Sequence, residues 1–105
     1  MLVFIETKLF SRLVKEHLAD DDYAALQHFL IQNPEAGDLI RGSGGLRKLR
    51  WGHAGKGKRG GLRIIYYLRT GRGEIWLLTL YPKSVAENIS PVVLKKIKEE
   101  IDGQS

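Results

Sequence analysis

Residues 62–81, LRIIYYLRTGRGEIWLLTLY, are the most informative stretch for the fold because they hold two apolar runs joined by a short glycine-containing link. β-Branched and aromatic side chains dominate both runs, 62–69 and 74–81, which is typical of strands. A link this short joins two strands as an antiparallel hairpin. Alternation along the first strand places Arg63 and Tyr67 on one face, so that face is not expected to be purely core.

The segments upstream of the hairpin predict two more strands and a pair of helices. The runs at 2–6 and 46–51 have the composition of strands, and the second alternates apolar with basic residues. Thr7 is expected to cap a helix that runs to about Leu18. A second helix is expected near 21–32, where the preceding acidic residues complement its positive N-terminus.

A final helix is expected after the hairpin. Ser90 is a suitable N-cap and Pro91 a suitable first helical residue, and the apolar spacing continues to about Ile101. The resulting order is strand, two helices, three strands and a helix. This order predicts a single α+β domain over 1–105, with a mainly antiparallel sheet, two N-terminal helices and a C-terminal helix. We expect the helices to cover one face of the sheet.

Charge is distributed very unevenly along the chain. From Leu39 to Gly73 there are ten lysines and arginines and no acidic residue, whereas the rest of the chain carries seven basic residues and all twelve acidic ones. A general basic bias would not produce this contrast. A cationic surface of this kind favours a polyanionic partner, and RNA is the interpretation we pursue.

Several classes of function are excluded or disfavoured by composition. The chain has no cysteine, so disulfides, thiolate catalysis and thiolate metal sites are excluded. No apolar run approaches the length of a membrane span, and the N-terminus lacks the pattern of a secretion signal, so a cytoplasmic protein without a membrane partner is expected. The histidines at 17, 28 and 53 have no suitably spaced acidic partners, so neither a metal nor another cofactor is expected.

The glycine-rich segment at 52–61 contains GKGKRG, which matches the dinucleotide pattern GxGxxG literally. That pattern requires a helix after it to hold the pyrophosphate, and here a strand is expected instead. Beside cations the same glycines allow tight turns and a close backbone approach to phosphate. The alternative is an ordinary solvated hairpin loop.

Neighbouring aromatic residues favour the RNA interpretation. Tyr67 shares a face with Arg63, and Tyr81 and Lys83 end the partner strand. Aromatic rings that stack on unpaired bases, together with cations on phosphates, are the usual means of RNA recognition. Trp51 and Trp76 are expected to be core residues instead.

The segments GLRKLRW, GKGKRGGLRIIYYL and EIWLLTLYPKSVAENIS together make the chain resemble the RelE/HigB-type toxins of bacterial toxin–antitoxin pairs, most closely the HigB branch. The resemblance covers nearly the whole chain and implies a small RelE-like fold. It also implies an endoribonuclease that cuts translated mRNA in the ribosomal A site and arrests translation. A cognate helix-turn-helix antitoxin would neutralise it.

Such an enzyme needs no metal, because the RNA 2′-hydroxyl attacks the adjacent phosphorus and leaves a 2′,3′-cyclic phosphate. The reaction needs a base, stabilisation of the phosphorane charge and an acid for the leaving oxygen. The resemblance makes the following residues catalytic candidates: Lys56 or Lys58 as base, Arg63 on the scissile phosphate, Tyr81 stacking on a base or placing a proton, and Lys83 as acid. The expected RNA-binding residues are Arg47, Lys48, Arg50, His53, Arg59 and Tyr67.

Some relatives use a Glu–His pair, and the cationic segment contains no Glu. A site of this composition relies on the ribosome to position its substrate. From the residues alone, a non-catalytic module that binds RNA or the ribosome remains an alternative. A protein whose basic patch mainly docks an acidic antitoxin segment is another.

Overall fold

The computed structural model describes residues 2–52, 61–84 and 90–103, which form an α+β domain, as predicted. The strands are β1 (Val3–Glu6), β2 (Asp38–Leu39), β3 (Leu46–Trp51), β4 (Leu62–Arg69) and β5 (Glu74–Pro82). The helices are α1 (Lys8–His17), α2 (Asp20–Gln32) and α3 (Pro91–Gly103), and a 3₁₀ turn (Thr70–Arg72) joins β4 to β5.

The five strands form one sheet in the order β1-β5-β4-β3-β2. The pairs β2–β3, β3–β4 and β4–β5 are antiparallel, so the predicted hairpin and the mainly antiparallel sheet are confirmed. β1 pairs with β5 in parallel, and this pairing was not predicted. Parallel strands need a long connection between them. Here α1, α2 and the other three strands separate β1 from β5 in the chain.

The helices α1 and α3 begin directly after the residues that were predicted to cap them. The Thr7 hydroxyl accepts a hydrogen bond from the backbone N–H of Phe10 at 3.0 Å. At α3, the Ser90 hydroxyl accepts from the N–H of Val92 at 3.2 Å, with Pro91 as the first helical residue. Each side chain satisfies a backbone donor that has no partner within its helix.

The helices cover both faces of the sheet, which corrects the expectation of a single covered face. One face, here the α1–α2 face, packs Leu49, Ile64, Tyr66, Ile75, Leu77 and Leu80 against apolar side chains of α1 and α2. The opposite α3 face packs Leu46, Ile65, Trp76, Leu78 and Tyr81 against Leu94 and Ile101 of α3. The central strands are apolar on both sides, so their composition permits helices on either face.

A buried tyrosine anchors the link that leads from α2 into β2. The Tyr66 hydroxyl donates to the carbonyl of Pro34 and accepts from the N–H of Gly37, both at 2.8 Å. Burial raises the pKa of this phenol. The Arg47 side chain adds hydrogen bonds to the carbonyls of Glu35 and Gly37. These bonds hold β2 against the edge of β3.

Across the described ranges, none of the helices is long and apolar enough to cross a membrane.

Candidate nucleic-acid interface

Three functional candidates lie side by side across three strands. Arg50 of β3 is the register partner of Arg63 of β4, which in turn is the partner of Tyr81 of β5. We call Arg50, Arg63 and Tyr81 the Arg–Arg–Tyr row. Strand spacing in sheets sets the Cα atoms of its outer members about 10 Å apart. Neighbouring side chains in such a row are in contact range.

The row lies on the α3 face. The residues on either side of Arg63, Leu62 and Ile64, are packed on the α1–α2 face, and Tyr81 belongs to the apolar cluster of the α3 face. Arg63 is only 4% exposed and Tyr81 only 7%, whereas Arg50 is exposed. A buried guanidinium acts in a medium of lower dielectric than water, so its attraction for an anion is less screened than that of a surface arginine.

Two further cations lie next to the row. Lys48 is two residues before Arg50, so it occupies the next position on the same face, opposite Ile65. Lys83 follows β5 directly, is exposed, and its backbone N–H donates to the carbonyl of Gly61 at 3.4 Å. Neither Arg50 nor Lys83 forms an ion pair with another described residue. The arrangement leaves their charge available to a polyanion.

The opposite end of the same face is different, because its cations are paired. Arg69 lies 3.5 Å from Glu74 and 3.7 Å from Asp102, and Lys98 lies 2.8 Å from Asp102. The hydrogen bond to Asp102 raises the pKa of the Lys98 ammonium. These pairs tie α3 to the sheet. The face therefore has one end whose cations are paired with acidic side chains and another end that carries the Arg–Arg–Tyr row.

Two of the predicted RNA-binding residues lie away from the row. Arg47 is on the α1–α2 face, where its guanidinium is engaged by backbone carbonyls. Tyr67 is on the α3 face as predicted, but it lies at the α3 end, with the Lys98 ammonium 5.0 Å from its ring centre. The structure thus brings Arg63, Tyr81, Lys48, Arg50 and Lys83 to one region and leaves these two outside it.

The remaining candidates, His53, Lys56, Lys58 and Arg59, lie outside the described residues. The two residues that flank their segment, Gly52 and Gly61, are described. Gly52 follows Trp51, and Gly61 precedes Leu62. Trp51 and Leu62 are the last register pair of β3 and β4, one position beyond the Arg–Arg–Tyr row. A strand, β4, follows the GxGxxG pattern, so the helix that a dinucleotide site requires is not present there.

A β-bulge determines which face carries Tyr81. Opposite Ile65 the register shifts by one residue, because Ile65 pairs with Thr79 while its neighbour Tyr66 pairs with Leu77. Leu78 is therefore an extra residue in β5. If β5 were regular through Leu78 and had no bulge, strict alternation from Leu77 would put Tyr81 on the α1–α2 face. The run EIWLLTLY contains no glycine or proline that marks the bulge, so sequence analysis missed this feature.

The two tryptophans are packed as predicted. Trp76 is buried on the α3 face, and its indole N–H donates to Glu74 at 2.9 Å. Trp51 packs on Phe29, with ring centres 5.5 Å apart. In the described part of the chain, no group of three or more acidic or histidine side chains is placed to hold a metal ion.

The fold and the site together define a small basic α+β protein with a cationic sheet end suited to a polyanion. The family model of the RelE toxin of the RelE/RelB toxin–antitoxin system matches residues 1–102. The chain therefore belongs to the RelE toxin family, as the sequence resemblance indicated. Toxins of this family generally inhibit translation by cleaving mRNA, and a cognate antitoxin is their partner. The narrower assignment to the HigB branch stays a prediction.

Proposed function

We propose that this protein is a ribosome-dependent mRNA endonuclease of the HigB type, neutralised by a cognate helix-turn-helix antitoxin. The observation that carries the proposal is the Arg–Arg–Tyr row, which aligns two guanidinium groups and a phenol on one sheet face beside Lys48 and Lys83. When the 2′-hydroxyl of RNA attacks the adjacent phosphate, negative charge builds up on the phosphorane. A cationic surface of this type stabilises that charge.

The proposed reaction is an intramolecular transesterification of the RNA backbone. The 2′-oxygen attacks the adjacent phosphorus, a base takes the 2′-hydroxyl proton, and the P–O5′ bond breaks. An acid then protonates the 5′-oxygen, which leaves a 2′,3′-cyclic phosphate and a free 5′-hydroxyl. No metal enters any step.

The described residues suit the roles of charge stabilisation and proton donation. Arg63 offers a planar fork to two phosphate oxygens, and Arg50 adds a second guanidinium one strand away. Tyr81 stacks on a base or places a proton, and Lys83 protonates the leaving oxygen. Lys48 holds the RNA backbone beside them.

The base is assigned to the cationic segment between Gly52 and Gly61. Lys56 or Lys58 is the proposed base, because neighbouring cations lower the pKa of a lysine. Arg59 and His53 would contact the RNA backbone, and Arg47 and Tyr67 remain proposed contacts at the periphery. Since no Glu–His pair is present in this segment, we propose that the ribosomal A site supplies the substrate geometry. We propose that the protein acts in the cytoplasm, where mRNA is translated.

Primer extension on mRNA translated in a reconstituted system tests the proposal. The wild-type protein should give cuts in phase with codons, and Arg50→Ala and Arg63→Ala should lower the cleavage rate by about 10²-fold or more, as the loss of one charge-stabilising donor does in other enzymes. Arg63→Lys keeps the charge but not the fork, and is expected to fall between wild type and Arg63→Ala.

The matched control is Arg72→Ala. Arg72 is an exposed arginine in the 3₁₀ turn, at the other end of the β4–β5 hairpin, so its removal changes net charge equally without touching the row. Thermal unfolding of each variant separates loss of activity from loss of fold. Binding of RNA without codon-phased cuts would reject the enzyme in favour of a non-catalytic RNA- or ribosome-binding module. Equal losses in Arg50→Ala and Arg72→Ala would reject the row as the site.

A further inference from the structure

A hydrogen bond from the start of α1 holds the β-bulge that orients Tyr81. The Thr7 hydroxyl donates to the carbonyl of Leu78, the extra residue of the bulge, at 2.7 Å. The Thr7 backbone N–H donates to the carbonyl of Leu77 at 3.1 Å. Thr7 therefore contacts both successive carbonyls at the point where β5 departs from regular alternation.

The contact between Thr7 and Leu78 lies just beyond the end of the pairing between β1 and β5. The parallel pairing of β1 with β5 ends at Glu6 and Leu77, and the bulge follows immediately. A bulge locally interrupts the hydrogen-bond ladder, so a backbone group there needs a partner from elsewhere. The Thr7 hydroxyl provides that partner for Leu78, from a residue 71 positions away in the sequence.

We propose that Thr7 is a positioning residue for the Arg–Arg–Tyr row, and that it acts through the bulge at Leu78 and Thr79 on the placement of Tyr81. The inference rests on the proposed function for its effect on cleavage, but the structural link does not depend on it. Tyr81 lies three residues beyond Leu78 and shares the α3 face with Arg63 because the bulge interrupts strict alternation in β5. Loss of the Thr7–Leu78 bond weakens the restraint on that register.

The two roles of the Thr7 side chain can be separated by substitution. Its oxygen also accepts from Phe10 N–H, so a change that removes the hydroxyl removes the helix cap as well. Thr7→Ser keeps both bonds, whereas Thr7→Val removes both. Thr7→Asp keeps the cap, because aspartate is a good N-cap acceptor, but a carboxylate cannot donate to the Leu78 carbonyl. Thr7 lines a surface groove of ≈ 510 Å³ together with Leu78, so there is room for the altered side chain.

The cleavage experiment is a double-mutant cycle between Thr7→Asp and Tyr81→Phe in the translated-mRNA assay. Thr7→Asp is expected to lower the maximal cleavage rate about 10-fold or more, since small displacements of reacting groups are costly. Thr7→Ser should stay near wild type. In the Tyr81→Phe background the effect of Thr7→Asp should fall below about 2-fold, because the two residues act as one unit. Full additivity of the two substitutions would overturn the proposal.

A second measurement needs no RNA and keeps the inference distinct from the proposed function. Ring-labelled tyrosine gives NMR signals for the four tyrosines of the chain, and Tyr81→Phe identifies the Tyr81 signal. In both Thr7→Asp and Thr7→Val the Tyr81 ring signal should shift or broaden, while that of Tyr66, on the other face, should stay in place. An unchanged Tyr81 signal would refute the positioning role. A shifted signal in a protein that cuts no mRNA would refute the proposed function and leave the positioning role standing.

Discussion

Removal of one buried hydroxyl, in Tyr66→Phe, is expected to destabilise the whole domain. This hydroxyl makes two hydrogen bonds of 2.8 Å, one to Pro34 and one from Gly37, and Tyr66 is fully buried. The substitution changes no charge. Phenylalanine fills nearly the same volume, so the loss is confined to hydrogen bonding and to the polar groups left behind.

The magnitude follows from the partners. Gly37 is buried, and its N–H would lose the Tyr66 oxygen that satisfies it. A lost hydrogen bond contributes about 1 kcal/mol and an unsatisfied buried donor costs about 1–3 kcal/mol, which gives a total of about 2–4 kcal/mol. For a domain of this size, such a loss of unfolding free energy lowers the Tm by about 10 °C.

Thermal and urea unfolding followed by circular dichroism measure the effect. Tyr67→Phe is the matched control, because Tyr67 is the adjacent residue, lies on the other face and is only half-buried. We expect this control to lose less than about 1 kcal/mol, since water replaces a partner at an accessible hydroxyl. A fall in Tm for Tyr66→Phe no larger than for Tyr67→Phe would refute the anchoring role of the buried phenol.

Two further predictions concern Gly61, directly before β4, and the pH dependence of stability. Gly61→Ala should destabilise the domain by about 2 kcal/mol or more, since φ is +37° and a Cβ would lie 2.5 Å from the Trp51 carbonyl oxygen, whereas Gly71→Ala, with open space around it, should unfold like wild type in the same denaturation assay. Burial, followed by a hydrogen bond to Glu6 and the charge of Glu6, raises the pKa of Tyr23, so its contribution to stability is complete below the ordinary tyrosine pKa of about 10 and is lost as pH rises further. Tyr23→Phe should therefore remove a component of the tyrosinate absorbance titration that lies above the ordinary tyrosine pKa, and an unchanged titration curve would contradict this environment.

Local signals in the sequence predicted the hairpin, the α1 and α3 caps and the division of β4 between two faces. Each depends on residues close together in the chain: the alternation of side chains in 62–69, the short glycine link, and Thr7 and Ser90 as acceptors for nearby N–H groups. The concentration of basic charge before Gly73 is likewise a property of the chain alone. These features depend on steric and hydrogen-bonding preferences that act within a few residues.

Which residues make up the site depends on contacts between distant segments of the chain. The side on which α3 packs, the parallel pairing of β1 with β5, and the engagement of Arg47 by backbone carbonyls are all set by tertiary packing. None of them has a local signal, because each satisfies backbone or apolar groups supplied by another part of the chain.

The residues alone indicate a basic α+β protein of the RelE family with a cationic segment between two strands. Which of its candidate residues lie together depends on tertiary packing. The bulge in β5 places Tyr81 on the face of Arg63, and the pairing of β3 with β4 adds Arg50 to the same row. Side chains in a regular strand alternate with a period of two. A bulge interrupts this alternation and so changes which residues beyond it lie on each face, and local propensity does not indicate where a bulge forms.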